Sequence, residues 1–246
     1  MSISTTTLDR IIDDLARQGW CAIPDFVSTQ TVAQLAEETQ QLRQQQVMRP
    51  AGVGKGAERT VNAGIRGDFI LWLDEPDLTA AQRDYLAGLE QLRLAANASL
   101  QLGLFEFEGH LATYPAGSFY RKHIDRFHND SLRTLTCILY LNQSWQASDG
   151  GQLRVYTNGH GEYAIPDDES RRARLPHPYP LPLPGEGDAV SLHEFQVYEH
   201  DHFDVLPQGG TLMTFLSDRF WHEVLPASRE RMSVTGWFRT RGEVAL

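Results

Sequence analysis

The sequence predicts an α+β protein, mainly β, in which N-terminal helices support a β-sandwich or jelly roll. Two observations predict this class. Up to about residue 104, apolar residues recur with the spacing of amphipathic helices. After that point, short runs rich in β-branched and aromatic residues are separated by turn residues, which is typical of strands. The runs read FEFEGHLATY, SFYRKHID, LRTLTCILYL, GQLRVYT, FDVL, TLMTFLS, HEVL and MSVTGWF.

The length and composition are those of one globular domain. The chain has 246 residues, of which 41% are hydrophobic and 22% are charged, and all-β units of this size are commonly single domains. We therefore expect residues 1–246 to form one domain, with helical support in residues 1–104 and the strand-rich core in residues 105–240. No apolar run is long enough to span a bilayer, so we expect no membrane association.

Charge and cysteine usage restrict the partners and the compartment. The formal net charge of −10 repels phosphate backbones and argues against nucleic acid as the main partner. The N-terminal stretch MSISTTTLDRIIDDLARQGW lacks the features of a secretion signal, so the cytoplasm is the expected location. Cys21 and Cys137 each lie in an apolar run, which predicts two buried, reduced thiols.

Three helices are expected in the N-terminal part. The first ends at Gly19, a residue that helices favour just after their last turn. A strand is expected over residues 20–27, and Ser28 then begins a second helix. The third begins at Thr79, because Thr79 and Gln82 match a capping box, and it reaches about Leu100. The apolar faces of the first two helices consist of Leu8, Ile11, Ile12, Leu15, Val32, Leu35, Ala36 and Leu42.

A segment without periodicity follows the second helix. Residues 47–67 are rich in glycine and charge, which predicts a long mobile loop of the kind that often has a functional role. Its GVGKG stretch is not a phosphate-binding loop, because Gly56 follows Lys55 where that motif requires Ser or Thr.

A second irregular segment interrupts the strand-rich part. Residues 158–202 contain alternating prolines, which predict an extended, polyproline-like insertion at the surface. These prolines are Pro176, Pro178, Pro180, Pro182 and Pro184.

The pattern His-x-Asp occurs at His123/Asp125, at His128/Asp130 and at His202/Asp204. Two histidines and one carboxylate on one face are the usual ligands of non-heme iron(II) that activates oxygen. On a strand, residues i and i+2 point to the same side, and the first pair ends a predicted strand. The second pair lies among turn formers, and the third is expected at the edge of a surface strand. Spacing is the same in all three pairs, so the position on a predicted strand favours His123/Asp125.

His222 and Arg231 are two further candidate site residues, and they support the choice of the His123/Asp125 motif. His222 begins a predicted strand, and Arg231 follows nine residues later across the turn PASRE, which predicts that it lies on the next antiparallel strand. Ser233 and Thr235 then share its face. A guanidinium inside a barrel is costly unless a carboxylate pairs with it, and a dicarboxylate cosubstrate could supply that carboxylate.

These residues and the motifs around them resemble the iron(II)- and 2-oxoglutarate-dependent dioxygenases, and among these the prolyl hydroxylases of the hypoxia-inducible-factor type and their bacterial relatives. The resemblance covers most of the chain except the proline-rich insertion. It implies a double-stranded β-helix (jelly roll) that hydroxylates a prolyl residue and releases succinate and CO2, with Fe(II), 2-oxoglutarate, O2 and the reductant L-ascorbate. The motifs are IRGDFILWLD, YPAGSFYRKHID, RTLTCILYLNQSW, GGQLRVY and SDRFWHEVLPASRERMSVTGWF.

The resemblance also implies roles for particular residues. The iron ligands would be His123, Asp125 and His222. The 2-oxoglutarate pocket would contain Arg231, Tyr140 and Tyr114, the first two at the distal carboxylate. The substrate contacts would be Arg133, Trp237, Arg66 and Asp68. The substrate would be a protein with an exposed proline loop, such as a translation factor of the elongation factor Tu class.

Three other functions are open at this point. The same chemistry could act on a small molecule or a free amino acid, in which case the loop at residues 47–67 should be dispensable for turnover. A nucleic-acid demethylase of the same superfamily is disfavoured by the acidic balance. A jelly-roll binding module without catalysis would fail to bind iron.

Overall fold

The computed structural model describes residues 2–53, 60–73, 76–125, 132–157, 195–197 and 202–241. Within these residues the chain forms helices α1 (Thr5–Gln18), α2 (Thr29–Gln44) and α3 (Ala80–Leu100). The strands are β1 (Trp20–Ile23), β2 (Arg49–Pro50), β3 (Phe69–Trp72), β4 (Leu104–Tyr114), β5 (Tyr120–His123), β6 (Arg133–Tyr140), β7 (Leu153–Tyr156), β8 (Phe195–Val197), β9 (His202–Val205), β10 (Leu212–Leu216), β11 (His222–Val224) and β12 (Arg231–Thr240).

The helix ends are set by the residues that the sequence indicates. Gly19 follows α1 in the left-handed conformation, with φ 83°, and its N–H bonds the Leu15 carbonyl. The Ser28 hydroxyl accepts a hydrogen bond from the N–H of Thr31 at the start of α2. Both hydrogen bonds of the predicted capping box between Thr79 and Gln82 are present. The three helix predictions are confirmed.

The strands form two antiparallel sheets. A seven-stranded sheet has the order β1-β10-β6-β12-β4-β3-β2, and a five-stranded sheet has the order β5-β11-β7-β9-β8. Apolar side chains of both sheets meet in one cluster between them, so the sheets face each other as a sandwich. The predicted fold, a mainly β jelly roll supported by helices, is confirmed.

Alternate residues of strand β6 belong to two different apolar clusters. Its residues Leu135, Cys137 and Leu139 point toward the helices and join a cluster with apolar residues of α1, α2 and α3. Ile138 and Tyr140 point the other way, into the space between the sheets. The helices thus cover one face of the seven-stranded sheet, and the opposite face is left to form a site with the smaller sheet.

One predicted strand pairing is wrong. We expected His222 and Arg231 on neighbouring antiparallel strands, but β11 belongs to the five-stranded sheet and β12 to the seven-stranded sheet. The turn between them crosses the sandwich, held by hydrogen bonds such as that from the N–H of Gly151 to the carbonyl of Pro226. Arg231 therefore faces the site from the opposite sheet.

Two further predictions need adjustment in their boundaries. Strand β1 ends at Ile23 instead of residue 27, and Asp25 adopts a φ of 53°, which breaks the extended conformation. Strand β5 ends at His123, so Asp125 lies just beyond the strand and not on it.

The two irregular segments are only partly described. Within residues 47–67, strand β2 pairs with β3, and Val53 bridges to Thr60; residues 54–59, and with them most of the GVGKG stretch, lie outside the described part. Within residues 158–202, residues 195–197 form strand β8, which pairs with β9, and residues 158–194 and 198–201 lie outside it. The predicted insertion therefore includes strand β8 of the smaller sheet and ends at His202, the first residue of β9.

Both cysteines are buried and free, as predicted. Among the described residues, no helix is long and apolar enough to cross a membrane.

Asn142 is a buried polar residue that fixes the start of β12. Its side-chain oxygen accepts from the N–H of Met232 at 2.6 Å, and its side-chain nitrogen donates to the carbonyl of Pro207 at 2.7 Å. We expect Asn142→Ala to lower the free energy of unfolding by about 2 to 4 kcal/mol, because these buried backbone groups lose their partners. Urea unfolding measures the change. The exposed neighbour Gln143→Ala is the control and should change stability by less than about 0.5 kcal/mol; equal losses in both variants would contradict the prediction.

Candidate active site

A pocket opens between the two sheets at the ends of β4, β5, β11 and β12. It contains about 610 Å³ of space, part of which is open to solvent, and is lined by both polar and apolar side chains. Most of the residues singled out from the sequence are among them. The lining residues are Arg66, His110, Tyr114, Tyr120, His123, Ile124, Asp125, Arg133, Ile138, Leu153, His222, Val224, Arg231, Thr235 and Trp237.

Two histidines and one aspartate come together in the lining of this pocket. His123 and His222 lie directly opposite each other on β5 and β11. The Nε2 atom of His123 lies 3.7 Å from Oδ1 of Asp125, and the Nε2 atom of His222 lies 3.6 Å from its Oδ2. One ligand atom from each residue fits within a span of 4.8 Å, and no other such group of three occurs in the described residues.

Backbone carbonyls orient the two imidazoles. Nδ1 of His123 lies 2.8 Å from the carbonyl oxygen of Arg121, and Nδ1 of His222 lies 3.0 Å from that of Phe220. When Nδ1 carries the proton and donates to these carbonyls, the lone pair of each ring is on Nε2, which faces Asp125. Burial, reinforced by His222, lowers the pKa of His123 to about 3, so its imidazole is neutral at neutral pH.

Asp125 is held from the opposite sheet. Its Oδ2 accepts a hydrogen bond of 2.8 Å from the hydroxyl of Thr136 on β6, and that hydroxyl lies 2.9 Å from the hydroxyl of Ser217. Burial acts to raise the pKa of Asp125, but His222, His123 and hydrogen bonds from Trp237 and Thr136 outweigh it and keep the pKa below its ordinary value. An anionic carboxylate and two imidazole lone pairs form a donor set suited to a divalent transition metal.

Arg231 lies deeper between the sheets as a buried cation. It is 2% exposed, and its Nε donates to the carbonyl oxygen of Gly151 at 2.9 Å. Its guanidinium carbon lies 5.2 Å from the ring centre of Tyr114 and 5.1 Å from that of Tyr140. Among the described residues, no carboxylate lies within ion-pair distance of it. A buried guanidinium of this kind calls for an anionic partner.

Tyr140 points a second polar group into the same region. Its hydroxyl is buried and has no hydrogen-bond partner in the described part of the chain. Burial raises the pKa of Tyr140 to about 12, although Arg231 acts in the opposite direction. Burial likewise raises the pKa of Tyr114. Both phenols are therefore protonated and able to donate a hydrogen bond.

Gly151 is needed for the close approach of Arg231. Its φ is 71°, and an added Cβ would lie 2.9 Å from the Cβ of Ala227 and 3.3 Å from the Cδ of Arg231. A side chain here would clash with Ala227, crowd Arg231 and strain the backbone, which accounts for the second glycine of the motif GGQLRVY.

Three of the four predicted substrate contacts line the pocket. The guanidinium of Arg133 lies 3.5 Å above the ring of Trp237, and its Nε donates to Glu108 at 2.6 Å. Arg66 makes two hydrogen bonds to Asp68, of 2.7 and 2.5 Å. Arg133, Trp237 and Arg66 line the pocket, whereas Asp68 is buried behind Arg66 and does not.

Of the other two His-x-Asp pairs, His202/Asp204 does not contribute to this centre. Asp204 binds Arg154 through two hydrogen bonds on the neighbouring strand β7, which uses both of its oxygens. His202 lies beside the ring of Tyr156 on the same two strands. His128 and Asp130 lie outside the described residues.

Sequence reasoning missed three residues that shape the site. Tyr120 stacks on His123, with ring centres 3.6 Å apart, and Thr136 anchors Asp125. His110 lines the pocket wall and is 3% exposed. The signal for His110 was present, because Tyr114 lies four residues later on the same strand and therefore shares its face. Nothing in the sequence indicated a role for Thr136, since its partner Asp125 follows a strand of the other sheet.

Comparison with known proteins identifies the class. Residues 109–239, just over half of the chain, match the family model of the 2OG-Fe(II) oxygenase superfamily. The chain belongs to this superfamily.

Its relatives include several prolyl hydroxylases. The crystal structure of a Pseudomonas putida prolyl-4-hydroxylase is 39% identical, with a TM-score of 0.71, and the match covers 96% of this chain and all of that one. Egl nine homolog 1 of Homo sapiens is 26% identical over 240 residues, which cover 94% of this chain and 46% of that protein. The chain spans about half the length of the curated relatives it matches. The predicted resemblance to this group is confirmed.

A more distant structure supports the fold. A prolyl hydroxylase from Trichoplax adhaerens, solved in complex with a peptide fragment of the hypoxia inducible factor oxygen degradation domain, is 24% identical, with a TM-score of 0.71. The match covers 95% of this chain and 89% of that one.

The contact between Thr136 and Asp125 leads to a test of the metal centre. Thr136→Val keeps the shape of the side chain but removes the hydrogen bond that orients the carboxylate, and we expect the affinity for Fe(II) to fall about 10-fold. Anaerobic titration with Fe(II) measures this. Thr134→Val is the matched control, because the Thr134 hydroxyl binds only the nearby Leu132 carbonyl. Equal affinities in the two variants would show that Thr136 does not support the ligand.

Proposed function

We propose that the protein is an Fe(II)- and 2-oxoglutarate-dependent dioxygenase that hydroxylates a prolyl residue in a protein substrate and releases succinate and CO2. The observation that carries the proposal is the pairing of two features in one pocket. A three-ligand cluster of His123, Asp125 and His222 lies beside a buried Arg231 that has no carboxylate partner in the described residues. A 2-oxo dicarboxylate suits both, because one end can ligate a metal and the other can pair with a guanidinium.

In this proposal His123, Asp125 and His222 hold the iron. The two imidazoles present their Nε2 atoms, and Asp125 contributes one negative charge, kept in place by Thr136. Three protein ligands leave positions open for small molecules. When bound, iron(II) supplies the redox chemistry that uses O2 and couples hydroxylation to the oxidative decarboxylation of 2-oxoglutarate. L-ascorbate is proposed as the reductant that restores ferrous iron.

Arg231 and Tyr140 are proposed to bind the distal carboxylate of 2-oxoglutarate. Arg231 is positioned by Gly151 and flanked by the rings of Tyr114 and Tyr140. The Tyr140 hydroxyl lacks a partner in the described residues and is protonated, so it can donate a second hydrogen bond to the same anion. Tyr114 closes the pocket on the other side of the guanidinium.

The substrate is proposed to enter over the rim. Arg133, Trp237 and Arg66 lie where a chain approaching the metal ligands would meet them. A peptidyl-proline is the substrate class that the similarity to prolyl hydroxylases supports. An exposed proline loop of a translation factor, such as elongation factor Tu, is the proposed target. The proposed location is the cytoplasm, where Cys21 and Cys137 stay reduced.

Binding of 2-oxoglutarate to the iron-loaded protein tests the site without any substrate. In an anaerobic titration we expect the weak visible absorption of a 2-oxo acid bound to iron(II). Arg231→Met should weaken 2-oxoglutarate binding about 100-fold, because the distal carboxylate loses a charged, desolvated partner. His202→Ala is the control and should bind as the wild type does. If the band never appears, the protein is a binding module without catalysis.

The reaction itself is tested by mass spectrometry of candidate protein substrates. Incubation with Fe(II), 2-oxoglutarate, ascorbate and O2 should add the mass of one oxygen atom to a proline, and this should depend on His123 and Arg231. Turnover of a free amino acid with no modified protein would instead favour the small-molecule hydroxylase.

A further inference from the structure

Ser217 is a buried residue whose hydroxyl lies one contact away from a candidate metal ligand. It is 0% exposed, and its Oγ lies 2.9 Å from Oγ1 of Thr136. Thr136 in turn donates to Oδ2 of Asp125 at 2.8 Å. Ser217 is not among the residues that line the pocket. Its side chain can therefore reach the site only through Thr136.

Proton counting gives this chain of contacts a direction. A hydroxyl has one proton to donate, and an ionised carboxylate can only accept. A carboxylate that ligates a metal is ionised, so Thr136 gives its proton to Asp125. The oxygen of Thr136 is then left to accept from Ser217. The hydrogen bonds run from Ser217 to Thr136 and from Thr136 to Asp125.

The Thr136 hydroxyl needs this second contact because its hydrogen can rotate about the C–O bond. The other side-chain donor to the same carboxylate, the indole N–H of Trp237, is fixed by its ring. A donor on the far side of the Thr136 oxygen occupies a lone pair and directs the proton toward Asp125. Hydrogen bonds in a chain also polarise one another, which strengthens the last bond.

The backbone holds Ser217 in the position from which it donates. Ser217 directly follows β10, and residues 217–221 lead from the seven-stranded sheet to His222 on β11. The N–H of Ser217 donates to the carbonyl of Thr134 on β6 at 3.0 Å. Thr136 lies two residues later on the same strand. The start of the segment that carries His222 is thus attached to the strand that supports Asp125.

We propose that Ser217 is a positioning residue of the metal centre, which acts through Thr136 to hold the Asp125 carboxylate in place. This inference rests on the proposed function, because it takes Asp125 to be a ligand of the iron. The effect of Ser217 on metal binding should disappear when residue 136 has no hydroxyl.

A double-mutant cycle under anaerobic conditions tests this dependence. Ser217→Ala removes the donor to Thr136, and we expect the affinity for Fe(II) to fall about 3-fold, less than the loss of about 10-fold expected for Thr136→Val. The double variant should bind Fe(II) as weakly as Thr136→Val alone, because Ser217 then has no hydroxyl to act on. Independent effects would instead multiply to a loss of about 30-fold.

Two further variants separate positioning from packing. Ser217→Cys keeps a side chain of similar size with a weaker donor, so its affinity for Fe(II) should lie between those of the wild type and Ser217→Ala. It also replaces Ser217→Ala if that variant does not fold. Thr39→Val removes another buried hydroxyl, which donates to the Leu35 carbonyl within α2. This variant is the control for a general loss of stability and should bind Fe(II) as the wild type does.

The visible spectrum of Co(II) bound in place of iron gives a readout that a loss of stability would not change. Its ligand-field bands depend on the geometry of the donor atoms around the metal. Ser217→Ala should shift these bands in the same direction as Thr136→Val. Thr39→Val should leave them as they are in the wild type.

The proposal is overturned if Ser217→Ala binds Fe(II) as tightly as the wild type, if the losses multiply in the double variant, or if the Co(II) bands do not shift. Titration of the iron-loaded wild type with 2-oxoglutarate reports separately on the proposed function. If iron and 2-oxoglutarate both bind and the cycle fails, only the role of Ser217 is wrong. If iron binds without 2-oxoglutarate, the proposed function fails and the cycle still decides the role of Ser217. If Fe(II) does not bind at all, both are wrong.

Discussion

The buried guanidinium of Arg231 is the constraint on which the site depends. Removing such a cation from water costs several kcal/mol, and the surrounding structure is arranged to hold it. Asn142 fixes the backbone at the start of β12, Gly151 offers a carbonyl at close range, and Tyr114 and Tyr140 flank the charge. None of these described neighbours neutralises it. A buried cation without a carboxylate partner in the described residues is what the proposed binding of 2-oxoglutarate would neutralise.

The larger apolar cluster and the candidate site lie on opposite faces of the seven-stranded sheet. The larger apolar cluster lies between the helices and one face of the seven-stranded sheet, where it supports the sheet without reaching the pocket. The cluster between the sheets is smaller, and polar groups lie at its end. Thr136 links the two sheets through Asp125, so the relative position of the sheets and the geometry of the three ligands are coupled. Small shifts of one sheet would change the metal site directly.

Most of the site could be predicted because its residues carry chemical signals in short motifs. His123, Asp125, His222 and Arg231 have side chains that are costly to bury without a ligand, and their spacing on predicted strands was informative. Thr136 and His110 were missed, since a threonine or a single histidine in a strand is usually part of an ordinary core. The pairing of β11 with β12 was predicted wrongly, because a short turn can join two strands of one sheet or cross between two sheets.

The sequence by itself determined the helices, the alternation of each strand and the three residues that converge at the candidate metal centre, because these follow from local periodicity, capping and side-chain chemistry. Only the tertiary structure decided which strands share a sheet, that Arg231 faces His123, Asp125 and His222 from the opposite sheet, and that His110 and Trp237 lie side by side. Those features depend on contacts between residues that are far apart in the sequence, and packing between the sheets sets them, not any pattern along the chain.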